Sequence, residues 1–311
     1  MNHTHQLPAR RSMLAGIFGT AALALSGCMP EAPASPLDTA GGMPPATRLA
    51  APPQMTPAVK APAATWKPAG PAPLPRRITS RAQAVREFAK VPAGDFGLEV
   101  RGVQLGLPKG SKYLALTFDA CGGEHGTGYD AALIKALRRH QVPATLFINS
   151  RWAQANRKLT AELVADPLFE IANHGTVHRP LSVNGRAAYK IPGTTSVGAA
   201  YDEVMRNQKY LQSEFGATSR FFRSGTAHFD VASASLTRKL GLIPMNFTVN
   251  LDGGATLPAS AVRRAALGMR RGDVGIGHFN RPGGDTAEGI AGALPRMLDS
   301  GIRFVRLDKV L

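Results

Sequence analysis

The sequence predicts an α/β domain in which parallel strands alternate with crossover helices. Three observations carry that reading. Short apolar runs alternate with amphipathic helical stretches from about residue 111 to the last residue. Polar residues recur where successive apolar runs end: Asp119, Asn149, His174, Arg223, Asp252 and His278. Residues 80–311 also have the length that one such domain needs to bury a substantial core. A barrel and an open doubly wound sheet both carry their sites at that end of the strands. The residue pattern alone leaves the two open.

The elements follow in order. Residues 80–90 form a short helix, with Ala82, Val85, Phe88 and Ala89 on one face. Residues 113–118 form a strand, and 129–140 a helix with Leu133, Ala136 and Leu137 on one side. Strands at 144–149, 169–172, 220–222, 244–249, 274–276 and 304–307 alternate with helices at 159–165, 196–215, 231–240, 260–270 and 286–300. This alternation implies parallel pairing with right-handed crossovers.

The N-terminal quarter reads differently. Residues 1–27 look like an export signal: Arg10-Arg11 precede an apolar run from Met13 to Leu25 that is too short to span a bilayer. Leu25-Ser26-Gly27-Cys28 resembles a lipobox, which makes Cys28 the lipidated first residue of the mature chain. Arg10-Arg11-Ser12-Met13-Leu14 also resembles a twin-arginine signal. Residues 28–79 form a Pro/Ala-rich linker, and residues 29–78 hold 13 of the 24 prolines. Such a stretch cannot bury enough surface to order itself, so it reads as a disordered tether. The expected location is the bacterial cell envelope, lipid-anchored and facing the periplasm or exterior. The formal net charge of +16 falls to +14 once Arg10 and Arg11 are cleaved off. In that compartment a basic surface suits anionic glycans or headgroups rather than nucleic acid, or serves solubility alone. With Cys28 acylated, Cys121 is a lone thiol.

Two stretches carry the chemistry. Leu116-Thr117-Phe118-Asp119 leads into Ala120-Cys121-Gly122-Gly123, which is how a buried strand delivers a carboxylate to the rim of a fold. His174 and His178 stand four residues apart, a common spacing for two ligands of one metal, and neutral imidazoles suit zinc or another borderline divalent ion. A carboxylate beside such an ion can take the proton of an attacking water. Structural alternatives stay open: an N-cap or loop acid for Asp119, a turn at Asp252-Gly253-Gly254, and a small packed residue for Cys121.

With Phe221-Phe222-Arg223-Ser224-Gly225, Asp252 and Val274-Gly275-Ile276-Gly277-His278, these stretches match, in order, the five motifs of a known family. Over residues 111–307 the chain resembles polysaccharide deacetylases of the NodB-homology class, carbohydrate esterase family 4. The resemblance implies a single (β/α)-barrel of the distorted seven-stranded NodB type. It also implies a hydrolase that removes N-acetyl or O-acetyl groups from a polysaccharide, here peptidoglycan or an exported amino-sugar polymer. Asp119 is then the base, and His174 and His178 hold the metal. Arg223 orients Asp119, and His278, paired with Asp252, protonates the leaving amine. The oxyanion is met by the metal and a backbone N–H near Ala120 or Cys121. Thr117 is expected to support Asp119, and Trp152, Phe229 and Phe279 are candidate sugar-stacking walls.

The chain departs from the family at three places. Gly175 stands where the family has Ser or Thr, and the Pro-rich continuation after Arg223 is missing. Ala120 stands where the family places its second acid and third metal ligand, and alanine cannot ligate. Cys121, Glu124, His125 and His228 are the candidate replacements. An extended chain points residues 119 and 121 the same way. The departure also motivates two other expectations: a glycan-binding protein of weakened activity, and a metal-independent amide hydrolase on the same fold.

Overall fold

The computed structural model describes residues 77–311. The expected signal, lipidation site at Cys28 and nearly all of the linker lie outside the described residues. The elements run α1 (Arg81–Phe88), β1 (Phe96–Gly97), β2 (Tyr113–Ala120), α2 (Ala131–Arg139), β3 (Ala144–Ile148), α3 (Ser150–Ala155), α4 (Arg157–Ala165), β4 (Phe169–Asn173), α5 (Val197–Phe215) and β5 (Phe221–Phe222). They continue with β6 (Phe229–Asp230), α6 (Val231–Lys239), β7 (Ile243–Pro244), β8 (Val249–Asn250), α7 (Ala259–Gly268), β9 (Val274–His278), α8 (Thr286–Asp299) and β10 (Arg303–Phe304).

Seven parallel strands in the order β7-β5-β4-β3-β2-β9-β8 curl into a half-barrel, and β10 adds to the start of β2. Side-chain alternation sorts β2 into two faces. Leu114, Leu116, Phe118 and Ala120 pack in an apolar cluster with Leu133, Leu137, Leu294 and Met297 of α2 and α8. Ala115 joins a second cluster with Phe147, Ala172, Phe221, Met245 and Val274 on the other face of the sheet. Asp119 shares that second face by register. Residues of α1, α5 and α6 form a third cluster.

Strand register assembles the site. Asp119 of β2 is the register partner of His278 of β9. Ile148 pairs with Asn173, and Asn173 with Phe222, so His174 and Arg223 leave neighbouring strands side by side.

Five elements differ from expectation, among them β1 and β6, two short strands outside the expected set that pair antiparallel with each other. The strand expected at 244–249 is split into β7 and β8; between them the Met245 and Asn246 N–H groups donate to the Phe222 and Gln104 carbonyls, while their own carbonyls accept from Arg223 Nε (3.1 Å) and Nη2 (2.9 Å). The last strand stops at Phe304, where Leu307 begins a 3-10 turn and its N–H donates to Thr145 Oγ1 at 3.0 Å. The unexpected α3 is capped by Asn149, whose Oδ1 accepts from Arg151 N at 3.0 Å.

Glu170 on β4 supplies a stability test. Burial pushes its carboxyl from 4.5 up to about 7, against the hydrogen bond it accepts from Thr145 Oγ1 at 2.8 Å. The folded state therefore binds more protons than the unfolded state between those values. Stability should fall as pH rises from about 4.5 to about 7. Urea titrations across that range should show Glu170→Gln with a shallower fall than wild type.

Candidate active site

One cleft of about 420 Å³ at the C-terminal end of the sheet is lined by Asp119, Cys121, His178 and His278, with Tyr189, Asn250 and Arg281 among the surrounding residues. Such a volume suits a small-molecule or single-sugar site. His174 is fully buried beneath the cleft.

Asp119 is held from below. Its Oδ1 accepts from Arg223 Nη1 at 2.7 Å, and its Oδ2 lies 3.5 Å from His174 Nε2. Arg223 is itself fully buried, with its guanidinium 4.0 Å over the Phe147 ring. Burial lowers the Arg223 pKa against the pull of Asp119. The arginine is thus no surface residue but the fixed partner of the acid. Thr117 does not support Asp119; its hydroxyl donates to the Gly275 carbonyl at 2.7 Å and ties β2 to β9.

His278 is held by a second acid. Its Nδ1 lies 3.0 Å from Asp252 Oδ1, and its backbone N–H donates to Asp252 Oδ2 at 2.7 Å. Thr286 Oγ1 donates to the same oxygen at 2.9 Å. Burial disfavours the imidazolium, but the hydrogen bond to Asp252 and then the hydrogen bond and charge of Cys121 outweigh it. The His278 pKa stands well above its ordinary value. Burial raises the Asp252 pKa, and His278 outweighs that and lowers it. The Asp252-Gly253-Gly254 turn exists as well, because Gly254 N–H donates to Asp252 Oδ1 at 3.0 Å.

Cys121, His174 and His178 offer donor atoms that all lie within 4.8 Å of one another. His174 Nδ1 donates to the Arg223 carbonyl at 3.0 Å, which leaves Nε2 as the electron-pair donor, 3.7 Å from Cys121 Sγ. Burial lowers the His174 pKa, but Asp119 and Cys121 outweigh it and the net shift is upward. A field that draws a proton onto Nε2 also draws a cation there. His178 Nε2 is buried without a hydrogen-bond partner. Two imidazoles and a sulfur at this spacing fit a divalent ion such as zinc. The other candidates are elsewhere. Glu124 and His125 are 90% and 85% exposed. His228 Nδ1 is held by the Thr226 carbonyl at 2.7 Å, with its ring against Phe96 and Tyr189.

The His174–His178 loop rests on residues that no motif marks. Glu203 of α5 accepts from the backbone N–H groups of Thr176, Val177 and Arg179 at 3.1–3.2 Å. Asn149 Nδ2 donates to the His174 and Gly175 carbonyls at 3.0 and 2.8 Å. Glu203 is an acid on the buried face of a helix, four residues before Asn207, and that misplacement is its only sequence signal. Gly175 has φ +79°, and a Cβ there would run into Glu203 Oε1. A side chain at this position, as the resemblance expects, would meet that carboxylate. At the end of the third motif, a Cβ on Gly225 would strike the His178 backbone. Trp152, Phe229 and Phe279 are fully buried and form no wall of the cleft. Aromatic side chains do line the cleft at Phe247 and at Tyr189, the latter 72% exposed, and no motif marks either.

Residues 106–244 match the family model described as polysaccharide deacetylase. Among solved structures, the Bc1960 peptidoglycan N-acetylglucosamine deacetylase superposes with a TM-score of 0.57 at 19% identity, covering 68% of this chain and 92% of that one. The family 4 carbohydrate esterase PdaA of Bacillus subtilis gives 0.55 at 18%, covering 74% and 87%. BA3943, a carbohydrate esterase family 4 pseudoenzyme from Bacillus anthracis, gives 0.54 at 16%, covering 66% and 67%. The half-barrel is therefore of the family 4 esterase type. A curated relative, the uncharacterized protein YlxY of Bacillus subtilis (strain 168), is 21% identical over 177 residues, 57% of this chain. The match spans about half the length of that relative.

Restoring a side chain at the tight glycine gives a structural test. Gly175→Ser should cost about 1–3 kcal/mol by urea unfolding, because a left-handed backbone and the Glu203 contact both oppose it.

Proposed function

We propose that this protein is a metal-dependent polysaccharide deacetylase that hydrolyses acetyl groups on an amino-sugar polymer of the cell envelope, with peptidoglycan the leading substrate. The observation that carries the reading is the placement of an Arg-held carboxylate and an Asp-held imidazole as register partners across one cleft. The family match and the N-acetylglucosamine deacetylase among the structural neighbours support the glycan class. The lipobox-like Cys28 and the Pro-rich stretch after it support tethering at the envelope.

His174 and His178 would hold a divalent ion, which when bound would supply Lewis-acid polarisation of the acetyl carbonyl and a lowered pKa for the attacking water. The protein's own groups do the rest. Arg223 fixes one oxygen of Asp119 and leaves the other for the water proton. As the water oxygen bonds to the acetyl carbon, Asp119 takes that proton. Asp252 holds the Nδ1–H of His278, so Nε2–H faces the leaving group. When the C–N bond breaks, His278 gives its proton to the amine, a poor leaving group without it. Tyr189 and Arg281 line the cleft around these groups and are placed to meet the sugar and an anionic substituent.

Ala120 favours a second reading, a glycan-binding protein of weakened activity, and a pseudoenzyme stands among the structural neighbours. Against it, both proton-transfer groups and their partners are intact, and three metal donors remain clustered.

Acetate release from an N-acetylglucosamine oligomer or peptidoglycan tests the reading. Asp119→Asn and His278→Ala should each lower kcat by about 100- to 10,000-fold. Glycan binding with no acetate release by metal-loaded wild type would favour the binding reading. The pH profile tests His278 separately. Turnover falls as pH rises through its raised pKa, because the acid loses its proton. Asp252→Asn removes the charge that holds that proton, so the alkaline limb should move to lower pH.

A further inference from the structure

We infer that Cys121 is a metal ligand, so that the site is a Cys-His-His centre selecting zinc or cobalt(II) over manganese(II), magnesium and calcium. The inference rests on the metal-dependent reading above. It adds the identity of the third donor, which no motif assigns.

The geometry decides between positions 120 and 121. Ala120 is fully buried in the apolar cluster beneath α2 and α8, on the same face of β2 as Phe118. An acid on this backbone would point away from His174. Side chains alternate along a strand, so the residue that faces with Asp119 is Cys121. Its sulfur lies 3.7 Å from His174 Nε2 and belongs to the one group of mutually close donors among the described residues. The anionic donor has moved one residue along the chain and changed from oxygen to sulfur. Asp119 is not the substitute: its Oδ1 is committed to Arg223, and its Oδ2, though 3.5 Å from His174 Nε2, is not among the mutually close donor atoms. The orphaned Nε2 of His178 and the carbonyl-held Nδ1 of His174 are what two ligating imidazoles require.

Softness then follows from donor type. A thiolate with two imidazoles suits zinc and cobalt, whereas carboxylate sites suit manganese, magnesium and calcium. One anion with two neutral imidazoles leaves a divalent centre at net charge +1, as one carboxylate would.

The test is optical. The full chain carrying Cys28→Ala has Cys121 as its only thiol. It is stripped by chelation and loaded with cobalt(II) under anaerobic, reducing conditions. The expected spectrum has visible d–d bands together with a near-ultraviolet thiolate-to-cobalt charge-transfer band. Cys121→Ser should abolish the charge-transfer band. It should also weaken zinc binding by more than the roughly 10- to 100-fold that loss of an outer-shell partner costs. Cys121→Asp should lack the band and shift preference toward manganese. Cobalt d–d bands without charge transfer in the parent protein would overturn the inference, as would no bound cobalt or a band that survives Cys121→Ser. A trapped thioester on Cys121 would overturn it too, by making the residue a nucleophile. The parent spectrum decides even if a variant misfolds. Acetate release without the band would contradict the ligand and leave the deacetylase reading standing; the band without acetate release would do the reverse.

Discussion

The buried ion pair between Arg223 and Asp119 is the constraint on which the rest of the site depends. Both side chains are almost wholly removed from water, so neither is tolerable without the other. The guanidinium spends its remaining donors on the Met245 and Asn246 carbonyls and its face on the Phe147 ring. That arrangement ties the guanidinium to the segment between β7 and β8. It also fixes the end of β5, whose Arg223 carbonyl orients His174. One residue therefore sets the carboxylate, the imidazole beside it and the local path of the sheet.

A second pair, Asp252 and His278, mirrors the first across the β2–β9 register. The two pairs serve opposite protonation states. In one a cation holds a carboxylate, while in the other a carboxylate holds an imidazolium. A carboxylate fixed by a guanidinium and an imidazole fixed by a carboxylate place a proton acceptor and a proton donor across one cleft. The support beneath the histidine loop is of another kind. Glu203 and Asn149 offer no reacting atom, and both collect backbone groups that the loop cannot pair for itself.

Much of this was legible in the sequence, because a buried strand is a continuous apolar run and a site residue interrupts it. Asp119, His174, Arg223 and His278 announced themselves in that way, and strand alternation already aligned position 121 with 119. Other features depend on tertiary partners that no local pattern encodes. Asp252 read equally as a turn residue and as the partner of His278, and in the fold it is both. The expected strand at 244–249 is two short strands whose intervening carbonyls meet Arg223. Trp152, Phe229 and Phe279 carried the chemistry of a sugar platform but were claimed by the core, while Tyr189 reached the rim from a turn with positive φ. Gly175 read as a lapse from a motif and is a steric necessity imposed by a helix that follows it in the chain.

The central claim is that metal binding has been rebuilt around sulfur beside an intact base. An anomalous-scattering map of zinc-soaked crystals tests it most directly. The account predicts one peak about 2.3 Å from Cys121 Sγ and about 2.0–2.1 Å from a ring nitrogen of each of His174 and His178, with Asp119 still bound to Arg223. A peak ligated by Asp119 and the two histidines, with Cys121 turned away, would contradict it.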